Sequence, residues 1–277
     1  EMVIRDWSSD VCSSDLNSGY IIFAGLETLL TILKDLKFEN KDLEYLDSLK
    51  MFKKDFLDYL KDFRFRGDIY AMDEGSIAFP GEPLLSVHCS LAEAQFIESI
   101  LLNIINFQSL IATKSSRIYL ASLCGKILEF GLRRAQGLDG ALSASRAAYI
   151  GGAYATSNTR AGQVYGIPVK GTMAHSWIMA FDSELESFEK YAEIYPVNPI
   201  FLIDTYDSLG SGIENAIKVG KKLSNEGKNF GVRLDSGDLH YLSVRIREKL
   251  DSAGLKKAFI TVSNDLNEEI IHQLITD

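Results

Sequence analysis

Residues 199–238 read PIFLIDTYDSLGSGIENAIKVGKKLSNEGKNFGVRLDSGD, and the fold class is decided there. A short apolar run ends in an acidic cluster, a helical segment follows, and a second apolar run ends in Arg233-Leu234-Asp235. That is the outline of a strand, a crossover helix and a second strand. Working outward, comparable runs are KILEFG from 126, IPVKGT from 167, PIFLIDT from 199, NFGVRLDS from 229 and AFITVSND from 258. Their starts lie 41, 32, 30 and 29 residues apart, the length of a strand plus its crossover helix. Strands alternating with helices predict a parallel sheet. The run ends, FGLRR, GTMAHS, DTYD, RLDSGD and SNDL, put reactive groups after every strand, as α/β barrels do, whereas an open doubly wound sheet gathers them near one switch point. An α/β barrel arrangement is therefore expected over 126–277, and at roughly 30 residues per unit five units make an incomplete ring.

Upstream the pattern changes. From Gly19 to about Lys61 the spacing is helical, with Leu26, Leu29, Leu30 and Leu33 on one stripe and an acidic helix over 41–60. FRGDIYAM and SIAFPGEPLLSV then read as short strands around the turn residues Asp73-Glu74-Gly75. Residues 17–125 thus form an expected N-terminal α+β domain. Residues 1–16 stand apart, because SSDV is followed at once by CSSDL with no hydrophobic period; we expect this segment to be non-native to the protein.

The 277 residues carry 29 Lys and Arg against 38 Asp and Glu, a formal charge of −9. That balance opposes a nucleic-acid surface or an anionic-membrane binder. Cys12, Cys89 and Cys124 are too few and too scattered for a disulfide framework or a zinc site, which fits a reducing cytoplasm. The most apolar window, 94–112, contains Glu98, Asn103, Asn106, Gln108 and Ser109, so it reads as a buried helix and not a membrane span.

Four clusters carry candidate chemistry. Phe130 and Arg133 end the first run, where a ring can stack a flat ligand and a guanidinium can fork onto a carboxylate; an arginine pair after a strand is also a common solvated ion-pair partner. His175 follows Gly171-Thr172 at a strand end, unlike His88, His240 and His272; it reads equally as a nucleophile or base and as a hydrogen-bonded core histidine. Asp204 and Asp207 end the third run, and Arg233, Asp235 and Asp238 end the fourth. Two acidic strand ends beside an arginine suit a sugar diol or Mg²⁺ next to a phosphate-binding cation, although Asp235 or Ser236 could equally cap a helix.

These residues sit inside longer runs: GYIIFAGLETLL, FRGDIYAM, EPLL, NIINFQSLIATKSSR, EFGLRRAQGLDGALSASRAAYIGG, TSNTRAG, GIPVKGTMAHSW, LIDTYD, GVRLDSGDL and SNDL. In that order they resemble the nicotinate phosphoribosyltransferase family, from about Gly19 to Asp277. The resemblance implies a type II phosphoribosyltransferase fold, a homodimer, and ATP-coupled conversion of nicotinate and 5-phosphoribosyl 1-diphosphate to nicotinate mononucleotide and diphosphate. It implies a phosphohistidine at His175, ring stacking by Phe130, and Arg133 near the nicotinate carboxylate. It also implies Arg233 near phosphates, Asp204 and Asp235 on ribose hydroxyls or Mg²⁺, and Thr172, Asp207 and Asp238 in support.

Ser157 and Asn158 occupy the position where the related nicotinamide enzyme has an Asp, so a neutral Asn there is expected to favour nicotinate; a loop Asn satisfying its own backbone is the plainer alternative. Two family segments have no counterpart in the sequence, an N-terminal one with a pyridine-contacting Tyr and a glycine-rich 5′-phosphate loop. The chain alone is accordingly expected to be inactive. The other readings are a non-catalytic oligomerisation or regulatory fragment and a related nicotinamide or quinolinate phosphoribosyltransferase.

Overall fold

A computed structural model describes residues 2–3 and 19–276. The segment 1–16, expected to be non-native, lies outside the described residues except for strand β1 (Met2–Val3). The chain divides into two units, 1–169 and 170–277.

In the first unit, β2 (Ile21–Ile22) leads into α1 (Leu26–Asp35), which buries Leu29 and Leu33, one turn apart, against the core. Leu30, expected on the same stripe, is exposed. The acidic helix expected over 41–60 is two helices, α2 (Asn40–Ser48) and α3 (Lys54–Lys61). Lys50 takes φ 55° between them, which a continuing right-handed helix does not tolerate. β3 (Asp68–Ala71), β4 (Ile77–Ala78) and β5 (Leu85–His88) follow. SIAFPGEPLLSV is thus two strands, split at Pro80-Gly81, where the glycine has φ 83°. β1 and β3 flank β5 antiparallel, and β2 pairs with β4.

Helix α4 (Leu91–Ala121) is the apolar window of the sequence. It starts at a reciprocal cap, where the Ser90 hydroxyl accepts from the Glu93 N–H and the Glu93 carboxylate accepts from the Ser90 N–H. Ile97, Leu101 and Ile105 recur at helical spacing and bury against Ile21, Phe23, Leu29 and Val87. Each such side chain contributes about 1.5–3 kcal/mol of burial. Two of the helix's polar residues serve backbone: the Ala24 N–H donates to Ser109 Oγ at 3.1 Å and the Ile22 N–H to Thr113 Oγ1 at 2.9 Å. The helix is long and apolar enough to cross a membrane by length and composition alone, but within the unit it is the core helix.

β6 (Leu128–Glu129), α5 (Gly137–Ile150), β7 (Ala155–Thr156) and α6 (Thr159–Tyr165) complete the unit. α5 lies close against α4, since a Cβ at Gly151 would sit 2.1 Å from the Ala112 carbonyl oxygen. This packing is why KILEFG folds with the first unit, so the structural division falls after residue 169 where the sequence spacing put it after 125. β6 pairs in parallel with β7, which the sequence reading did not single out. The IPVKGT run contributes only a bridge from Val169 to Thr156, because Pro168 has no N–H to extend a ladder.

The second unit is built as the opening stretch predicts. After α7 (His175–Met179) and α8 (Glu184–Ile194), β8 (Ile200–Leu202), β9 (Gly231–Leu234) and β10 (Phe259–Val262) form a parallel sheet in sequential order. Phe201 faces Val232 in register, and Val232 faces Ile260. The crossovers are α9 (Ile213–Asn225) and α10 (Leu239–Ser252), with α11 (Glu268–Thr276) after β10. α9 buries Ile213, Ala216, Val219 and Leu223 at helical spacing, and its Gly220 lets the Phe230 ring approach where any side chain would collide. It ends at Gly227, φ 74°, with Lys228 N–H returning to the Leu223 carbonyl. Phe201, Leu202, Ile203, Val232 and Leu234 are fully buried, β10 is half-buried along its length, and the residues just past the strands carry the polar groups.

Candidate functional site

In the second unit the carboxyl ends of β8, β9 and β10 bring five of the expected residues together. His175 opens α7, and its Nε2 lies 3.2 Å from Asp204 Oδ1. The Asp204 side chain is 1% exposed and that of His175 38%. The other Asp204 oxygen accepts from the Asp235 N–H at 2.9 Å and from the Ser236 hydroxyl. With Asp204 as acceptor, Nε2 carries the ring proton and Nδ1 keeps a lone pair. The imidazole is therefore oriented by a carboxylate that also stabilises positive charge developing on the ring.

Arg233, on β9, is tied into the same cluster. Its Nη2 donates to Asp235 Oδ1 at 2.6 Å, its Nη1 to Thr172 Oγ1 at 2.8 Å, and its Nε to Ser263 Oγ at 2.8 Å. The Ser263 hydroxyl in turn donates to Asp235 Oδ1. Burial opposes ionisation of Asp235, but the Ser263 hydroxyl, the Arg233 guanidinium and the His175 ring hold its carboxyl below the usual 3.8. Arg233 was expected as a phosphate-binding cation; in the structure its guanidinium braces Thr172, Asp235 and Ser263, and its side chain is 12% exposed. Ser263, at the end of β10, was missed by the sequence reading, although its place in SNDL at a strand end was the available signal.

Asp207 and Asp238 are helix caps. Asp207 Oδ1 accepts from the Leu209 and Gly210 N–H groups, and Asp238 Oδ1 from Tyr241 N–H at the start of α10. The capping role considered for Asp235 or Ser236 falls to Asp238. Mg²⁺ held by Asp204 and Asp235 fits poorly: both Asp204 oxygens are taken by protein donors, and Asp235 has only Oδ2 free of them.

The first unit holds the remaining candidates. Phe130 is half-buried, and Arg133 is exposed in the turn Leu132–Arg134 with no hydrogen bond or ion pair among the described residues. Ser157 is exposed, its N–H donating to the Glu129 carbonyl at 2.9 Å. Asn158 lies in the same unit. It is buried, its Oδ1 caps α6 by accepting from the Arg160 and Ala161 N–H groups, and its Nδ2 donates to Ser145 Oγ and the Ala141 carbonyl. These are the bonds that the plainer alternative describes, a loop Asn satisfying nearby backbone.

The comparisons with known proteins agree in kind. Residues 10–106 match the family described as nicotinate phosphoribosyltransferase (NAPRTase) N-terminal domain. The chain is 47% identical over 257 residues to a nicotinate phosphoribosyltransferase of Bacillus subtilis, covering 93% of this chain and 52% of that protein. It is 43% identical over 256 residues to a second, from Mycobacterium tuberculosis, covering 92% and 55%. Among solved structures, human nicotinic acid phosphoribosyltransferase superposes with a TM-score of 0.84 at 31% identity, covering 92% of this chain and 63% of that one. The nicotinate-nucleotide pyrophosphorylase of Pyrococcus furiosus, at 24% identity and a TM-score of 0.73 over 92% of this chain and 58% of its own, shares the α/β fold. The chain spans about half the length of the curated relatives it matches. This likeness runs through both units, and over the part of those proteins that it spans the chain is similar to the nicotinate phosphoribosyltransferases.

Proposed function

We propose that this chain is part of an enzyme that joins nicotinate to 5-phosphoribosyl 1-diphosphate, coupled to ATP through phosphorylation of His175. The pyridine nitrogen attacks the anomeric carbon, the bond from that carbon to diphosphate breaks, and nicotinate mononucleotide and diphosphate result. Charge separates as this happens, so catalysis needs positioned charges and needs no protein base to remove a proton. The observation that carries the reading is the His175–Asp204 pair, a half-exposed imidazole held by a buried carboxylate at the strand ends. With Nε2 engaged, Nδ1 is the atom offered to the terminal phosphorus of ATP, ADP leaves, and Asp204 stabilises the phosphorylated ring. Arg233 keeps Thr172 and Asp235 in place and so fixes the cluster.

In the first unit, the unpaired Arg133 favours a pyridine that bears a carboxylate over one that bears an amide, and Phe130 offers the ring face. Mg²⁺ in this proposal enters with the phosphates of the substrates, keeping most of its waters. The family likeness supports a cytoplasmic homodimer as the working form. The test is incubation of the whole enzyme of which this chain is part with γ-labelled ATP and Mg²⁺, followed by mass spectrometry at neutral pH. We expect an acid-labile phosphate on His175 that His175→Ala abolishes. An unlabelled His175, or label that survives the substitution, would remove His175 from the role.

A further inference from the structure

We infer that Glu129 is a positioning residue, which clamps the turn that carries Phe130 and Arg133; the inference rests on the reading of Arg133 given above. Glu129 sits at the end of β6, where alternation would let a glutamate point into solvent. Its carboxylate turns inward and is fully used. One oxygen accepts from the Gly131 N–H, inside the turn itself. The other accepts from Ser145 Oγ at 3.0 Å, on α5, and from Thr156 Oγ1 at 2.6 Å, on β7.

The two hydroxyls are themselves fixed, because Asn158 Nδ2 donates to Ser145 Oγ and the Asn158 N–H donates to Thr156 Oγ1 at 2.9 Å. The Glu129 main chain adds the Ser157 bond. One carboxylate therefore links a strand, a helix and the turn 131–134, while Arg133 projects from that turn without a partner among the described residues. An arginine that binds a planar carboxylate by a two-pronged fork gains from a fixed approach, and a turn free to rotate would lose it. The buried Asn158, expected to touch the ligand, acts through this same network.

Hydrogen exchange on the protein, with nicotinate binding followed by calorimetry, tests the clamp. In Glu129→Ala we expect the amides of 131–134 to exchange at least tenfold faster, α4 to stay protected, and nicotinate to bind about tenfold more weakly, the loss of one charge-assisted hydrogen bond. Binding of 5-phosphoribosyl 1-diphosphate is expected to change little. Glu129→Gln, whose amide can donate to the two hydroxyls while its carbonyl accepts from Gly131, restores both readouts. Ser145→Ala, which removes one arm, gives an intermediate effect and replaces Glu129→Ala should that variant not fold. Unchanged exchange at 131–134 in Glu129→Ala or Ser145→Ala would overturn the clamp. Faster exchange with unchanged nicotinate affinity would overturn the aiming role. Nicotinate binding that is equal in the parent protein and in Arg133→Ala would instead overturn the reading of Arg133, and the aiming role with it.

Discussion

Arg146 in the first unit and Arg233 in the second are almost equally hidden, at 10% and 12% side-chain exposure, and each is ion-paired to carboxylate. Arg146 donates to both oxygens of Glu74, at 2.9 and 2.6 Å, and also to Glu27; Glu74 accepts from the Gly25 N–H as well. That assembly joins α5 to α1 and to the turn before β4, and it ends in packing. Arg233 joins β9 to β10 and to Thr172, but its network continues through Asp235 to Asp204 and stops at a half-exposed histidine. The difference teaches that a buried arginine is not by itself a sign of chemistry. What distinguishes the second is that its chain of hydrogen bonds ends on a half-exposed imidazole, the ring proposed above as the nucleophile.

Breaking the first assembly is expected to have the largest effect on stability. Arg146→Ala leaves Glu74 buried without its cation and should cost about 3–5 kcal/mol in urea denaturation. A loss below about 1 kcal/mol would mean that the pair does not hold these elements together.

The second assembly should give a smaller loss of stability and a larger loss of chemistry. Asp204→Ala frees the His175 ring and leaves the Asp235 N–H without its acceptor, which should cost about 1–3 kcal/mol and abolish labelling of His175 by ATP. Retained labelling would show that the imidazole does not need this carboxylate.

The smallest effect concerns pH and separates the carboxyls. Burial opposes ionisation of Glu74, but Arg146 and the Gly25 N–H hold its carboxyl below the ordinary 4.5, so its stabilisation is present above 4.5 and is lost as pH falls through the lowered folded value. Asp235 behaves in the same way below 3.8. Glu184, at the start of α8, is the reverse: burial pushes its carboxyl up despite hydrogen bonds from Asn215 and Ser211, and Asp207 adds repulsion. Its contribution is present below 4.5 and is lost as pH rises through the raised folded value. Glu184→Gln should therefore flatten the fall in stability from pH 4.5 toward neutrality. An unchanged slope between those limits would exclude Glu184 as its source.

Much of the second unit was legible, because parallel strands buried on both faces must be apolar runs and their crossovers impose a spacing of about 30 residues. PIFLIDT, NFGVRLDS and AFITVSND each became a strand, and the polar residues after them met. KILEFG and IPVKGT were legible as apolar runs, yet their partners were not, since Pro168 stops one ladder and β7 is only two residues long. Arg146 was invisible inside SASRAAY, where nothing local marks an ion pair to residues 72 and 119 positions away.

The sequence alone determined the α/β class, pointed to the family likeness and picked out the polar residues that meet at the strand ends, because periodicity and ordered motifs are local properties of the chain. Only the tertiary structure decided how each group is used. Asp204 orients a ring, Arg233 braces, Asn158 caps a helix and Glu129 turns inward, because a polar side chain's role depends on which donors and acceptors surround it once water is excluded. Those neighbours are set by packing between elements distant in sequence, which no reading of nearest neighbours along the chain contains.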